Sequence, residues 1–153
     1  SPPRVLGVHM RGTDKFLSSK VGPDAYFPLI DAFLNETAAN GQCVVIFLAT
    51  DDMSYANQTM ARYGAQRVAQ QAGGEVLRAQ GSAAIWQSSG TSDAHSKGVQ
   101  VLLDTLLLAK CDFLLKSASA VSEFAIYLNP ALVNSSYDFS LPDQPRQSWM
   151  PDA

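Results

Sequence analysis

The polar residues that could do chemistry gather in three places, and one of them is dense. The stretch Arg4-Val5-Leu6-Gly7-Val8-His9-Met10-Arg11-Gly12-Thr13-Asp14-Lys15 passes from an apolar half straight into His, Arg, Thr, Asp and Lys. Side chains alternate along an extended chain, so His9 and Arg11 share one side and Met10 takes the other. An imidazole and a guanidinium converging at a strand tip suit an anion. Arginine offers a planar fork to phosphate oxygens, and histidine a shorter donor. The plainer alternative is a surface pair between Arg11 and Asp14 or Asp51. The second group is Thr50-Asp51-Asp52. One of its carboxylates is expected to cap the following helix, leaving the other to orient Arg11 or to act as a ribose or metal ligand. The third is Ser117 and Ser119. Ser119 opens a helix, so its hydroxyl and the first free backbone N–H groups can cap that helix and hold a phosphate at once.

Asp104 stands apart from these groups. It falls between Leu103 and Leu106, on what reads as the apolar face of a helix, where an unpaired carboxylate costs several kcal/mol. A place at the solvent edge of the helix is the structural alternative. A half-buried carboxylate can also accept from the ring N–H and the exocyclic amine of a guanine together. His95 opens the same helix and reads as a residue of its capping turn.

These residues need elements to hold them. Val5 to Val8 predicts a short strand buried on both faces, the usual state of a central parallel strand. Pro23-Asp24 starts a helix through Tyr26, Phe27, Ile30 and Phe33-Leu34, ended by Asn40-Gly41. Val44 to Ala49 is the clearest buried strand, and Met53 to about Gly64 a second helix that can be extended to Gln71. Glu75 to Leu77 reads as a short strand, and Arg78 to Ala94 as a loop with Trp86 in its middle. Ser96 to Lys110 is a third helix with Val99, Leu102, Leu103, Leu106 and Leu107 on one wide face. Cys111 to Leu115 is a strand, Val121 to Leu128 a fourth helix stopped at Asn129-Pro130, and Leu132-Val133 a last short strand. From residue 135 on, Pro142, Pro145 and Pro151 suggest an irregular tail. Strands alternating with helices imply right-handed crossovers and a mostly parallel sheet covered on both faces, an α/β fold of the Rossmann-like, doubly wound kind. In such a sheet ligands sit outside the carboxyl ends of the strands, where all three polar groups fall. A unit over 1–134 followed by a tail over 135–153 is the expected organisation.

The totals narrow the class further. At 153 residues the chain is one domain with room for a core, and its net charge of −3 argues against a non-specific nucleic-acid binder. No apolar run is long enough to span a membrane. Gly-x-Gly-x-x-Gly after the first strand and Gly-Lys-Ser/Thr are both missing, which disfavours the common dinucleotide and P-loop sites. With no Cys-x-x-Cys and two histidines, a metal site is not expected. Cys43 and Cys111 each open an apolar run and read as reduced core residues. The sequons at Asn35, Asn57 and Asn134 point towards a secretory lumen, Golgi or ER. The start at Ser-Pro-Pro suggests a piece of something longer.

Gly7-Val8-His9-Met10-Arg11-Gly12-Thr13-Asp14-Lys15 resembles the Gly-Val-His-Val-Arg-Arg-Thr-Asp-Lys segment of the alpha-1,6-fucosyltransferases, and the protein O-fucosyltransferases share the shorter His-x-Arg. The resemblance continues in order through Leu48-Ala49-Thr50-Asp51-Asp52, Gly98-Val99 to Asp104, and Asp112 to Leu115 with Ser119. It implies the C-terminal Rossmann half of a GT-B-like fold, a GDP-fucose donor, and inverting transfer to a glycan or glycoprotein acceptor without metal or cofactor. On that resemblance Arg11 is the clamp on the β-phosphate, His9 and Asp104 recognise guanine, Ser119 binds phosphate, and Asp51 and Asp52 support the site. Lys20-Val21-Gly22-Pro23-Asp24 resembles the family's Lys-Val-Gly-x-Glu, which makes Lys20 and Asp24 catalytic candidates, with Asp24 the base. A helix N-terminal carboxylate favoured by the dipole is an equally good reading of Asp24. Two departures stand out: Gly12 replaces the second arginine, and the acceptor-side N-terminal domain is not in this chain. The expectation is the donor-binding half of a fucosyltransferase-like enzyme. Its first rival is an inactive nucleotide-sugar-binding or interaction module of the same fold, and its second an unrelated Rossmann-like hydrolase or kinase-like domain.

Overall fold

The computed structural model describes residues 1–12, 21–71 and 91–152. In chain order the elements are β1 (Arg4–Met10), α1 (Pro23–Ala39), β2 (Val44–Thr50), α2 (Met53–Tyr63), β3 (Val68–Ala69), α3 (Thr91–Leu108), β4 (Phe113–Lys116), α4 (Ala120–Leu128) and β5 (Ser136–Asp138). A 3-10 turn at Pro130–Val133 joins α4 to β5. The strands form one sheet in the order β3-β2-β1-β4-β5, every pairing parallel. This is a Rossmann-like α/β sandwich.

Alternation along the strands divides the core in two. Leu6, Val8 and Met10 of β1 face α1 and α2, joining Tyr26, Ile30, Phe33, Ile46 and Leu48. Phe47, Ala49 and Leu114 face the other way, onto Leu108 of α3 and Ala125 of α4. Gly7 lies on that second side because nothing larger fits: a Cβ there would stand 2.8 Å from Cys111 Sγ. Cys111 is accordingly buried, and burial pushes its thiol up to about 12. Cys43 is exposed rather than part of the core, and both thiols are free.

Several boundaries differ from expectation for local reasons. β3 is the two-residue Val68–Ala69, entered through Gly64 at φ 84, and is too short for a periodic signal. The strand expected at 75–77 and Trp86 lie outside the described residues. α3 begins at Thr91, so His95 sits exposed inside the helix instead of in its capping turn. Leu132 and Val133 form the 3-10 turn after Asn129-Pro130, and the strand comes three residues later.

Residues 135–152 do more than trail. Trp149 sets its ring edge-on to Phe33 and Phe113, with centroids 5.3 and 5.2 Å away, and Met150 is buried in the α1-side core. Asp138 N donates to Gln144 Oε1 at 2.9 Å, and Gln144 Nε2 donates back to the Asp138 carbonyl, so the tail engages backbone groups of edge strand β5.

α3 is turned about its axis relative to expectation. Val99, Leu102, Leu103, Leu106 and Leu107 face solvent, while Val101, Asp104, Thr105 and Leu108 face the sheet. Asp104 therefore does not interrupt the leucine stripe; it lies on the opposite face.

At the end of β4, Lys116 is almost fully buried, its Nζ donating to Asp138 Oδ2 at 2.6 Å and to Glu123 Oε1 at 2.7 Å. Burial pushes the Asp138 carboxyl up, but Lys116 and Ser140 outweigh it and hold it below its ordinary range. Removing one partner strands the other charge in the interior. Lys116→Met is expected to lower the unfolding free energy by about 3 kcal/mol in urea titration, with Asp138→Asn in the same chain recovering part of the loss.

Candidate functional site

β1 and β4 are neighbours, but α1 follows β1 onto one face of the sheet and α4 follows β4 onto the other. In an open parallel sheet, such a reversal of strand order is where a ligand crevice can form. His9 and Arg11 stand at the β1 side of it, Ser117 and Ser119 at the β4 side.

The β1 tip is held from three directions. Tyr26 of α1 donates its hydroxyl to the His9 carbonyl at 2.8 Å, deep in the core. Burial holds that hydroxyl protonated far above its ordinary pKa, so it remains a donor. Asp51 Oδ1 accepts from Gly12 N at 2.6 Å, tying the β1 tip to the β2 tip. Asp52 caps α2, accepting from Ser54 N at 2.8 Å and Tyr55 N at 3.3 Å, while its own N–H donates to Thr50 Oγ1. The two adjacent carboxylates thus have separate duties. Gly12 is packed against the second: a Cβ there would meet Asp52 Cβ at 2.6 Å and Oδ2 at 2.8 Å.

His9 is 7 % exposed and sits on the α3/α4 side of the sheet, in register with Ala49 of β2. Ala49 also lines a small cleft with Thr50, Gln71, Gln100 and Asp104. His9 and Asp104 thereby approach the same stretch of β2 from β1 and from α3. Burial raises the Asp104 pKa to about 6. With its amide nitrogen turned inward, Gln71 donates to Asp104 Oδ1 and to the Gln100 carbonyl, both at 3.1 Å.

Ser119 is buried and caps α4, its Oγ accepting from Val121 N at 3.3 Å. Ser122 Oγ donates back towards the carbonyls of Ser117 and Ser119, which fixes the turn. Ser117 Oγ is buried at the end of β4, close to the Tyr26 hydroxyl. Asp24 is exposed in the first turn of α1, at the same edge of the sheet because α1 starts where β1 has ended. Lys20, with Thr13 to Lys15, lies outside the described residues. Among the described residues no three His, Cys, Asp or Glu side chains gather as a metal site requires.

Sequence reasoning missed Tyr26 and Gln71. Tyr26 reads as one more apolar residue of the α1 pattern, although a tyrosine facing a core must place its hydroxyl on a partner, and that was the available signal. Gln71 carries none, because nothing local marks a glutamine after a two-residue strand.

Fold and edge define an α/β protein of Rossmann-like architecture with polar residues gathered at its strand tips. No protein-family model and no curated protein matches the sequence. Solved structures do resemble it. NodZ alpha-1,6-fucosyltransferase soaked with GDP-fucose, and the same enzyme co-crystallized with GDP, each align at 20 % identity and TM-score 0.48 over 83 % of this chain and 36 % of theirs. Fucosyltransferase NodZ from Bradyrhizobium aligns at 20 % identity and TM-score 0.47. The chain spans about a third of the length of these proteins.

The Asp104 environment carries a testable cost. A carboxyl raised from 3.8 to about 6 binds its proton more tightly in the folded state. Its contribution to stability is therefore full below about pH 4 and lost as pH rises through about 6. Asp104→Asn mimics the protonated form. It is expected to raise stability at pH 7 by about 2 kcal/mol and to flatten the change between pH 4 and 6, as read by urea titration across pH. An Asn variant no more stable than the parent at pH 7 rejects a desolvated carboxylate.

Proposed function

We propose that this chain is the donor-binding half of a fucosyltransferase-like glycosyltransferase, gripping GDP-fucose at the β1/β4 crevice. The observation that carries this reading is the convergence at one sheet edge of the His9-x-Arg11 tip and the Ser119-capped helix, with desolvated Asp104 behind β2. Each residue then has a physical task. Arg11 supplies a fixed cation for the β-phosphate, and the free N–H groups of α4 add partial positive charge beside it. His9 and ionised Asp104 read the purine, the carboxylate accepting two N–H bonds that guanine offers and adenine does not. Asp51 and Asp52 act through the backbone, anchoring the tip that presents Arg11.

For inverting transfer, an acceptor hydroxyl attacks C1 of fucose from the face opposite the diphosphate. The C1–O bond to GDP breaks with its electron pair going to the β-phosphate, where Arg11 stabilises it. The hydroxyl proton passes to a base, for which Asp24 is the candidate. Lys20 is the further catalytic candidate that the motif supplies. The acceptor, glycan or glycoprotein, is bound by a further domain on this reading, so the chain alone binds nucleotide weakly and transfers little. A secretory lumen suits the reading: Asn35, Asn57 and Asn134 are all exposed, although Thr37 and Thr59 of the first two sequons are buried in helices.

Isothermal titration with GDP, ADP and UDP tests the site directly. GDP is expected to bind best, and Arg11→Ala to weaken it roughly 10- to 100-fold, the size of a lost charge-assisted bond. Equal binding of all three nucleotides would sink the guanine assignment.

One observation favours the rival, an inactive binding module of this fold. Where the family motif has a second arginine, this chain has Gly12 with Asp52 pressed against it. Gly12→Arg is expected not to restore activity but to destabilise the fold by about 1–3 kcal/mol, visible in thermal melts. Release of fucose from GDP-fucose by a chain that includes an acceptor domain, abolished by Asp24→Asn, separates enzyme from binder.

A further inference from the structure

We infer that the outer face of α3 and α4 is the interface of a symmetric homodimer, its occupant being a second copy of this chain. The inference starts from the orientation of α3. Its leucine stripe recurs at helical spacing, as a core-facing stripe does, yet it faces solvent while Asp104 and Thr105 face the sheet. From Gly98 to Leu107 every exposed position on α3 is apolar or glycine. α4 packs beside α3 on the same side of the sheet and adds Phe124, Tyr127 and Leu128; Tyr127 is 79 % exposed and the Phe124 and Tyr127 rings lie 6.0 Å apart.

Size identifies the occupant. The exposed parts of these side chains amount to on the order of 700 Å², more than the few hundred Å² usual for the largest apolar patch of a monomer. That is close to the ~800 Å² each partner contributes to a stable interface. Between Gly98 and Leu107 the exposed positions of α3 carry no charge, and exposed Lys110 and Asp112 follow the end of the helix. A nucleic acid or an anionic bilayer would require basic residues on the face, and α3 presents none between Gly98 and Leu107. A surface apolar throughout is compatible with itself, and an isologous pairing of α3–α4 with α3–α4 closes the assembly at two copies. The site edge lies at the strand tips rather than on this outer face, so dimerisation does not depend on nucleotide.

Sedimentation equilibrium of the chain without nucleotide, from about 1 to 100 μM, tests this. A monomer–dimer equilibrium is expected, and Leu106→Glu is expected to weaken it by about 100-fold, because an isologous interface carries each substitution twice. Leu106 is exposed, so the variant keeps its far-ultraviolet circular dichroism. Gln58→Glu, on α2 at the opposite face, is expected to leave the equilibrium unchanged. As an independent measurement, Leu102→Glu, on the same stripe, is expected to weaken the dimer as Leu106→Glu does. A chain monomeric at 100 μM, or a dimer indifferent to both substitutions, overturns the inference.

Discussion

Two parallel strands that lie side by side, but whose following helices cross to opposite faces of the sheet, cannot close the gap between their own tips. That constraint, set by β1 between β2 and β4, is what the rest of the molecule depends on. Past the last ladder pairs of these strands, the backbone must find partners other than a neighbouring strand, as the Gly12 amide does in Asp51. The first residues beyond each strand are therefore obliged to be polar, and they are also where a ligand finds fixed donors. The chemistry of the edge follows from topology before any side chain is considered.

Side chains then make the edge rigid. Tyr26 reaches from α1 to the His9 carbonyl, and Asp51 reaches from β2 to the Gly12 amide. Two neighbouring elements thus grip the backbone on either side of Arg11. A guanidinium on a long side chain loses conformational entropy on binding, and a fixed Cα keeps that loss from growing. Gly12 belongs to the same arrangement for a steric reason, since Asp52 occupies the space a side chain would need. Its φ is not positive, so the requirement is room rather than backbone conformation.

The sequence made legible what period and punctuation encode. β1 and β2 follow from unbroken apolar runs, α1 from Pro23 and Asn40-Gly41, and the caps at Asp52 and Ser119 from residue type at a helix start. Strand order does not follow from any of these, because it is fixed by which apolar faces meet in three dimensions. β3 and β5, two and three residues long, are too short to alternate visibly and exist through pairing with longer neighbours. Pro142, Pro145 and Pro151 suggested a tail without structure, yet proline forbids only regular ladders. It leaves Trp149 free to fill the space between Phe33 and Phe113.

α3 shows where periodicity runs out. A helical pattern establishes that one face is apolar and the other is not, but says nothing about which face meets the sheet. Here the inward face holds Leu108, Val101 and Thr105 together with Asp104, and the richer apolar face is outside. A helix placed for stability alone would turn through half a revolution, burying the leucines and releasing Asp104 to water. Two things oppose that rotation. Leu108 and Ala109 anchor the end of the helix against Phe47 and Leu114, and the turn to Cys111 fits against Gly7 with no space to spare. The carboxylate is thus held beside β2 by packing at the far end of its own helix, at an electrostatic cost recorded in its raised pKa. Exposure of the leucine stripe is the other consequence of the same anchoring, so the buried acid and the apolar outer face have one structural cause.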